Sequence, residues 1–173
     1  MKLLLHVCCA PCSVACVSSL REEGIEPSLY WYNPNIHPRN EYGNRLASLV
    51  QYAQTLELPL VTEDQYGLRE FLKAAESNFD APERCAVCYR LRMEKAALTA
   101  SEKGYDAFST TLFISPYQNH ELLKEEAEKA ASRHGVELLY RDFRPRFRDG
   151  RAEARRLNLY MQKYCGCIFS ESE

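Results

Sequence analysis

Leu3-Leu4-Leu5-His6-Val7-Cys8-Cys9-Ala10-Pro11-Cys12-Ser13 decides how the rest of the chain is read. An apolar run stops at two adjacent cysteines, and a proline and a third cysteine then open a segment of helical pattern. That is the order of a buried first strand, a tight turn and a helix N-terminus. Ligands of open α/β sheets bind at the carboxyl ends of strands. Three thiols placed there mark a candidate site.

Working outward, Leu3 to Val7 is the first strand and Ser13 to Glu23 a helix ending near Gly24. Ser28 to Tyr32 reads as an aromatic-rich second strand, and the two prolines of Asn33 to Pro38 make a loop. Leu46, Leu49, Val50, Ala53 and Leu56 give Arg39 to Leu56 a helical period, and Leu58 to Val61 is a third strand. Leu68 to Ala75 is a helix. Cys85 and Cys88 open another that runs to Lys103, closed by Gly104. Ala107 to Leu112 is a fourth strand, Leu122 to Arg133 a helix and Val136 to Tyr140 a fifth strand. Phe143 to Gly150 reads as irregular and Glu153 to Gln162 as a last helix. Strands alternating with helices predict an α/β fold, a parallel sheet of about five strands between two helical layers. A single domain, residues 1–173, is expected. The strand ends gather Cys8-Cys9, Asn33 to Pro38 and Ser115 to His120 at one edge.

The chain has 173 residues, eight of them cysteine, and a formal net charge of −2. Near-neutral charge excludes a bulk polyanion-binding signature, and no apolar run is long enough to span a bilayer. The start, Met1 to Leu5, is too short for a signal peptide and runs into cysteines. No membrane partner and a cytoplasmic location are expected. Disulfide scaffolds are rare there, so the cysteines need another explanation. Burial as small apolar groups accounts for single cysteines, and Cys16 could be one of these. Clusters fit that reading poorly.

The clusters are Cys8-Cys9-x2-Cys12, Cys85-x2-Cys88 and Cys165-x-Cys167. Two intervening residues let both sulfurs face one metal or cluster. A structural zinc needs four ligands, and seven clustered thiols exceed that. A helix N-terminus favours thiolate at Cys12 and Cys85. Cys165 and Cys167 can close only a small strained ring, which suits a redox relay; a return of this tail to the site is expected.

Asn33, Asn35 and His37 sit in the proline-fixed loop. They offer polar recognition, though His37-Pro38 could equally start a helix. Tyr117, Gln118, Asn119 and His120 form a denser set; Asn119 could cap a helix, whereas Tyr117 and Gln118 have no such structural role. Between Arg141 and Arg156 stand seven arginines against three acidic residues. Such a run is either a solvated face or, interleaved with Phe143 and Phe147, an RNA contact. Cysteines replace the glycines of a phosphate-binding loop after the first strand, which disfavours ATP.

Six segments together resemble the cobalamin-independent epoxyqueuosine reductases. They are His6-Val7-Cys8-Cys9-Ala10-Pro11-Cys12, Tyr32-Asn33-Pro34-Asn35-Ile36-His37-Pro38, Arg84-Cys85-x2-Cys88-Tyr89, Phe108-Ser109-Thr110-Thr111-Leu112, Ser115-Pro116-Tyr117-Gln118 and Tyr164-Cys165-Gly166-Cys167. The resemblance implies a Rossmann-like sheet similar to the adenine-nucleotide alpha-hydrolase and PP-loop group. It implies two-electron removal of the epoxide oxygen from epoxyqueuosine at the wobble position of a tRNA with a GUN anticodon, using a [4Fe-4S] cluster and an adjacent iron. An external low-potential electron donor is then expected. On this resemblance Cys8, Cys9, Cys85 and Cys88 are metal ligands, and Cys165 and Cys167 are a redox-active pair or further ligands. Some similar chains carry aspartate where Cys12 stands, which makes Cys12 the candidate for the extra iron. Tyr117 or His37 would donate a proton, and Asn33, Asn35, Gln118 and Asn119 would bind substrate. The rival expectations are a zinc-stabilised RNA-binding module and a cluster-free thiol-disulfide oxidoreductase.

Overall fold

The structure is a computed structural model in which residues 1–171 are described. β1 (Leu3–His6) has all four side chains buried, as a strand covered on both faces requires. Each of its leucines contributes roughly 1.5–3 kcal/mol by leaving water. It is followed by α1 (Ala10–Glu22), β2 (Ser28–Trp31), α2 (Arg39–Thr55) and β3 (Leu60–Thr62). Then come α3 (Leu68–Ala75), α4 (Glu83–Glu102), β4 (Ala107–Thr110), α5 (His120–His134), β5 (Glu137–Leu138) and α6 (Phe147–Arg156).

The sheet runs in the order β3-β2-β1-β4-β5 with every neighbour parallel. Right-handed crossovers put α1 and α2 on one face and α4 and α5 on the other. α6 packs on α1, and α4 packs on α5. This is a three-layer, Rossmann-like architecture, as expected. The chain moves outward from β1 through β2 to β3, then crosses back to β4. That reversal opens a crevice between the carboxyl ends of β1 and β4. The two ends are tied together there: the Cys8 N–H donates to Thr111 Oγ1 at 3.3 Å.

Several element bounds differ from expectation. α1 begins at Ala10 rather than Ser13, because Pro11 suits a first helical turn and Cys9 Sγ caps it by accepting the Cys12 N–H. β4 stops at Thr110, whose Oγ1 accepts the Leu112 N–H and turns the chain into a 3-10 segment, Thr111–Ile114. β3 lies two residues later than expected at its start, and β5 is only two residues long. The last helix spans Phe147–Arg156 rather than Glu153–Gln162. Phe143 to Gly150 was expected to be irregular, yet Gly150 lies inside α6 where that helix crosses α1. A β-carbon there would sit 2.8 Å from Ala15 Cβ, so the glycine permits close helix packing.

After α6 the chain doubles back over the sheet edge. His37 N–H donates to Gly166 O at 2.8 Å. The Arg45 fork donates to Cys165 O at 3.1 Å and Tyr164 O at 2.9 Å, and the Tyr164 hydroxyl donates to His37 O. Gly166 has φ +120, a region closed to most side chains.

Candidate metal centre

The turn after β1 brings the sulfurs of Cys8, Cys9 and Cys12 within 4.8 Å of one another, with Cys8 and Cys9 3.8 Å apart. Two thiolates sharing a tetrahedral ion at 2.3 Å would lie about 3.8 Å apart. Adjacent positions supply two of these sulfurs, and the first turn of α1 supplies the third. Hydrogen bonds from Cys12 and Cys9 hold the Cys8 thiol well below the ordinary range, while burial pushes Cys9 up. Cys12 is raised because its proton is held by Cys8. The trio therefore loses one proton readily and the others with difficulty, until a cation joins them. Gln162 Nε2 donates to Cys9 Sγ at 2.9 Å and Cys12 Sγ at 3.5 Å, a positioning that sequence spacing did not indicate.

The resemblance named Cys85 and Cys88 as metal ligands together with Cys8 and Cys9. The structure places them at the start of α4, lining a small cavity with Cys165 and Cys167 of the returning tail. Tail return is thus observed, and none of the eight cysteines is joined in a disulfide. Cys165 is drawn down to about 5, first by a hydrogen bond from the Cys167 thiol, with Ser170 and the Arg92 charge assisting. Burial pushes Cys88 up to about 11 against the pull of Arg92. Cys16 is fully buried in the main core.

Arg92 was not anticipated. It is 3% exposed, and its Nη2 donates to Cys88 Sγ at 3.1 Å. Among the described residues it has no carboxylate partner; the charges that stabilise it come first from Cys88 and Cys8. A buried cation is costly unless matched; here the matching charges are the lowered Cys8 and Cys165 thiols, which ionise readily, while Cys88 accepts its hydrogen bond. Asn35 faces the same cavity, buried, its Oδ1 without a partner among the described residues.

Above the trio lies a cleft of about 550 Å³ bordered by Cys8, Cys12, Tyr117, Gln118, Arg151 and Arg155, among others. Cys165 and Gln118 border both this cleft and the cavity of Cys85 and Cys88, so the two thiol groups adjoin. Tyr117 is 84% exposed at its edge, and Gln118 Oε1 accepts from the Tyr89 hydroxyl at 2.6 Å.

The other expected site residues are placed differently. Asn33 is fully buried, its Nδ2 donating to Val7 O at 2.9 Å and its Oδ1 beside His6 Nε2. Asn119 caps α5 through the Leu122 N–H. His37 has both ring nitrogens held by backbone: Nε2 donates to Pro34 O at 2.8 Å, and Nδ1 accepts the Ile168 N–H at 3.2 Å. It anchors the tail and does not border the cleft. His6 is neutral, lowered to about 4 by burial and the Arg92 charge.

Thiols converging at the crevice of a Rossmann-like sheet, below an open cleft, define an α/β protein with a cysteine-rich candidate metal centre. A family model described as "Epoxyqueuosine reductase QueH" matches residues 3–173. The chain belongs to that family. A Dehalococcoides mccartyi protein named Epoxyqueuosine reductase QueH is 41% identical over 172 residues, 99% of this chain and 93% of that one. A namesake from Acinetobacter baylyi is 38% identical, covering 98% and 80% of the two chains. Another from Thermotoga maritima is 31% identical, covering 97% and 89%.

Proposed function

We propose that this protein is an oxidoreductase that removes the epoxide oxygen of epoxyqueuosine at the tRNA wobble position, giving queuosine. Two electrons and two protons convert the epoxide to an alkene and water, the electrons coming from an external low-potential donor. The observation that carries the reading is the thiol trio at the crevice, open to the cleft and adjoined by four more thiols.

The donor set fits iron and iron-sulfur chemistry: soft thiolates, two helix N-termini and a buried guanidinium to balance negative charge. Cys8, Cys9 and Cys12 would hold metal on one side, and Cys85 and Cys88 on the other. Cys165 and Cys167 serve as the redox-active pair or as further ligands. A [4Fe-4S] cluster with an adjacent iron supplies electrons and a Lewis acid when bound. Asn35 and Gln118 contact substrate from the cavity and the cleft rim. Asn33 and Asn119 shape the loops that carry them. Tyr117 borders the cleft, its hydroxyl without a partner among the described residues, and so takes the proton-donor role; His37, its ring nitrogens engaged, does not.

The test is anaerobic purification followed by iron and sulfide analysis, a visible spectrum, and mass spectrometry of tRNA nucleosides. The expected protein is brown, is bleached by dithionite and converts epoxyqueuosine to queuosine. Cys8→Ser is expected to lose iron and conversion together. A colourless, zinc-loaded wild type without conversion would sink the reading.

A further inference from the structure

The structure sorts the arginine run of residues 141–156 into two sets. Arg141 pairs with Glu23, Arg144 with Asp142, Arg146 with Glu22 and Arg156 with Glu153. Arg148, Arg151 and Arg155 have no carboxylate partner among the described residues. They stand at i, i+3 and i+7 on α6, hence on one helical face. Arg151 and Arg155, together with Lys163 of the returning tail, border the cleft above Cys8 and Cys12. Arg151 also lies over the Phe147 ring, 5.7 Å from its centroid, and Phe147 packs edge-on against the exposed Tyr117 ring. Phe143, expected to share in RNA stacking, is buried and takes no part.

We infer that this face of α6, with Lys163, is the surface that grips the phosphate backbone of a single-stranded RNA loop and feeds one base into the cleft. The inference rests on the reading that the substrate is a tRNA anticodon nucleotide. The chain's net charge of −2 supplies no general attraction to a polyanion, so local unpaired cations must do so. Arg148 and Arg155 are about 10 Å apart along the helix axis, a span that long side chains extend over two or three phosphates. The exposed ring of Tyr117 beside Phe147 offers a stacking face for a splayed base. The paired arginines tie the β5–α6 segment to α1 and to itself, and their charge is already spent.

Binding of a fluorescein-labelled RNA hairpin with a GUN anticodon in its loop, followed by anisotropy across a salt series, tests the assignment. The double variant Arg151→Ala, Arg155→Ala should lower the slope of log affinity against log salt by about 1.4, at about 0.7 per single-strand phosphate contact. It should bind about 25-fold more weakly near 0.1 M salt and converge with wild type near 1 M. The double variant Arg141→Ala, Arg156→Ala removes the same formal charge from paired positions and should keep the wild-type slope. An unchanged slope in the first variant, or an equal fall in both, overturns the assignment. Epoxide conversion by wild-type protein is scored separately. A wild type that fails to convert epoxyqueuosine, with the slope difference intact, removes the reductase reading and leaves the RNA surface standing.

Discussion

Arg92 shows at the scale of one residue what the site is built to hold. A guanidinium enclosed among thiols gains little from burial by itself, and thiolates that lose it take up a proton rather than stay as unpaired charges; giving up a buried ion pair for well-packed apolar groups is often neutral, or stabilising by about 1–4 kcal/mol. Arg92→Met is therefore expected to leave the thermal midpoint of metal-free protein unchanged or raised. It should also lower iron retained per chain severalfold, because the Cys88 sulfur loses its donor and counter-charge. Calorimetry and colorimetric iron assay on the same preparations check both halves. Full iron retention with a lower midpoint would make Arg92 a packing residue. Neither Arg92 nor Arg45 was legible in the sequence. Spacing along a helix does not tell a buried arginine from a solvated one: Arg45 pairs with Glu41 one turn earlier as a surface arginine would, and its remaining partners are carbonyls about 120 residues away, while Arg92 meets a sulfur one turn away. By contrast the Cys8, Cys9 and Cys12 grouping was legible, since a strand end and one helical turn can only bring such positions together.

At the scale of elements, the returning segment of residues 157–171 depends on a neutral histidine. Burial lowers the His37 pKa below the usual 6.5, and Nδ1 must be unprotonated to accept the Ile168 N–H. The ring is packed by Tyr66 and Phe71, with Pro34 O the one group that favours its charged form. The folded pKa is depressed, so the anchoring is complete above about pH 6.5 and weakens as pH falls toward the lower folded value. Hydrogen-exchange protection at Ile168, corrected for intrinsic rate, should fall through that window. Flat protection would show that the Arg45 fork and the backbone ties at Gly166 and Tyr164 hold the segment without the imidazole. Strand and helix order followed from apolar runs and punctuation. The bounds of α6 did not, because Gly150 has the same appearance as a chain break and as a close helix crossing; only the position of Ala15 decides between them.

At the scale of the whole molecule, sulfurs arrive from three segments: the β1–α1 turn, the start of α4 and the tail. A metal centre that joins them would act as a staple across the sheet edge. At a free metal concentration 100 times its dissociation constant, such a ligand adds about 2.7 kcal/mol, or roughly 5–10 °C in the melting midpoint of a chain this long. Anaerobic chelation should lower the midpoint by that amount. Amide exchange should quicken in the tail and the first turn of α4, and stay slow in β1 and β4, whose side chains are buried on both faces. An unaltered midpoint would mean that the thiols bind no structural metal. Return of the tail to the thiols was expected, but that its cysteines line one cavity with Cys85 and Cys88 in particular was not legible. It depends on where α4 starts relative to a loop 80 residues later, which no local pattern encodes.

Cys9 holds two offices at once: its sulfur closes the first turn of α1 and belongs to the thiol trio. A metal drawing electron density from that sulfur would weaken it as an acceptor for the Cys12 amide, so loading of the trio would be felt in the opening turn of α1. α1 in turn lies against α6, with Gly150 and Ala15 nearly touching. Whatever the thiol trio holds and the seating of α6, the helix proposed above to meet RNA, would thus share one mechanical link, two contacts long.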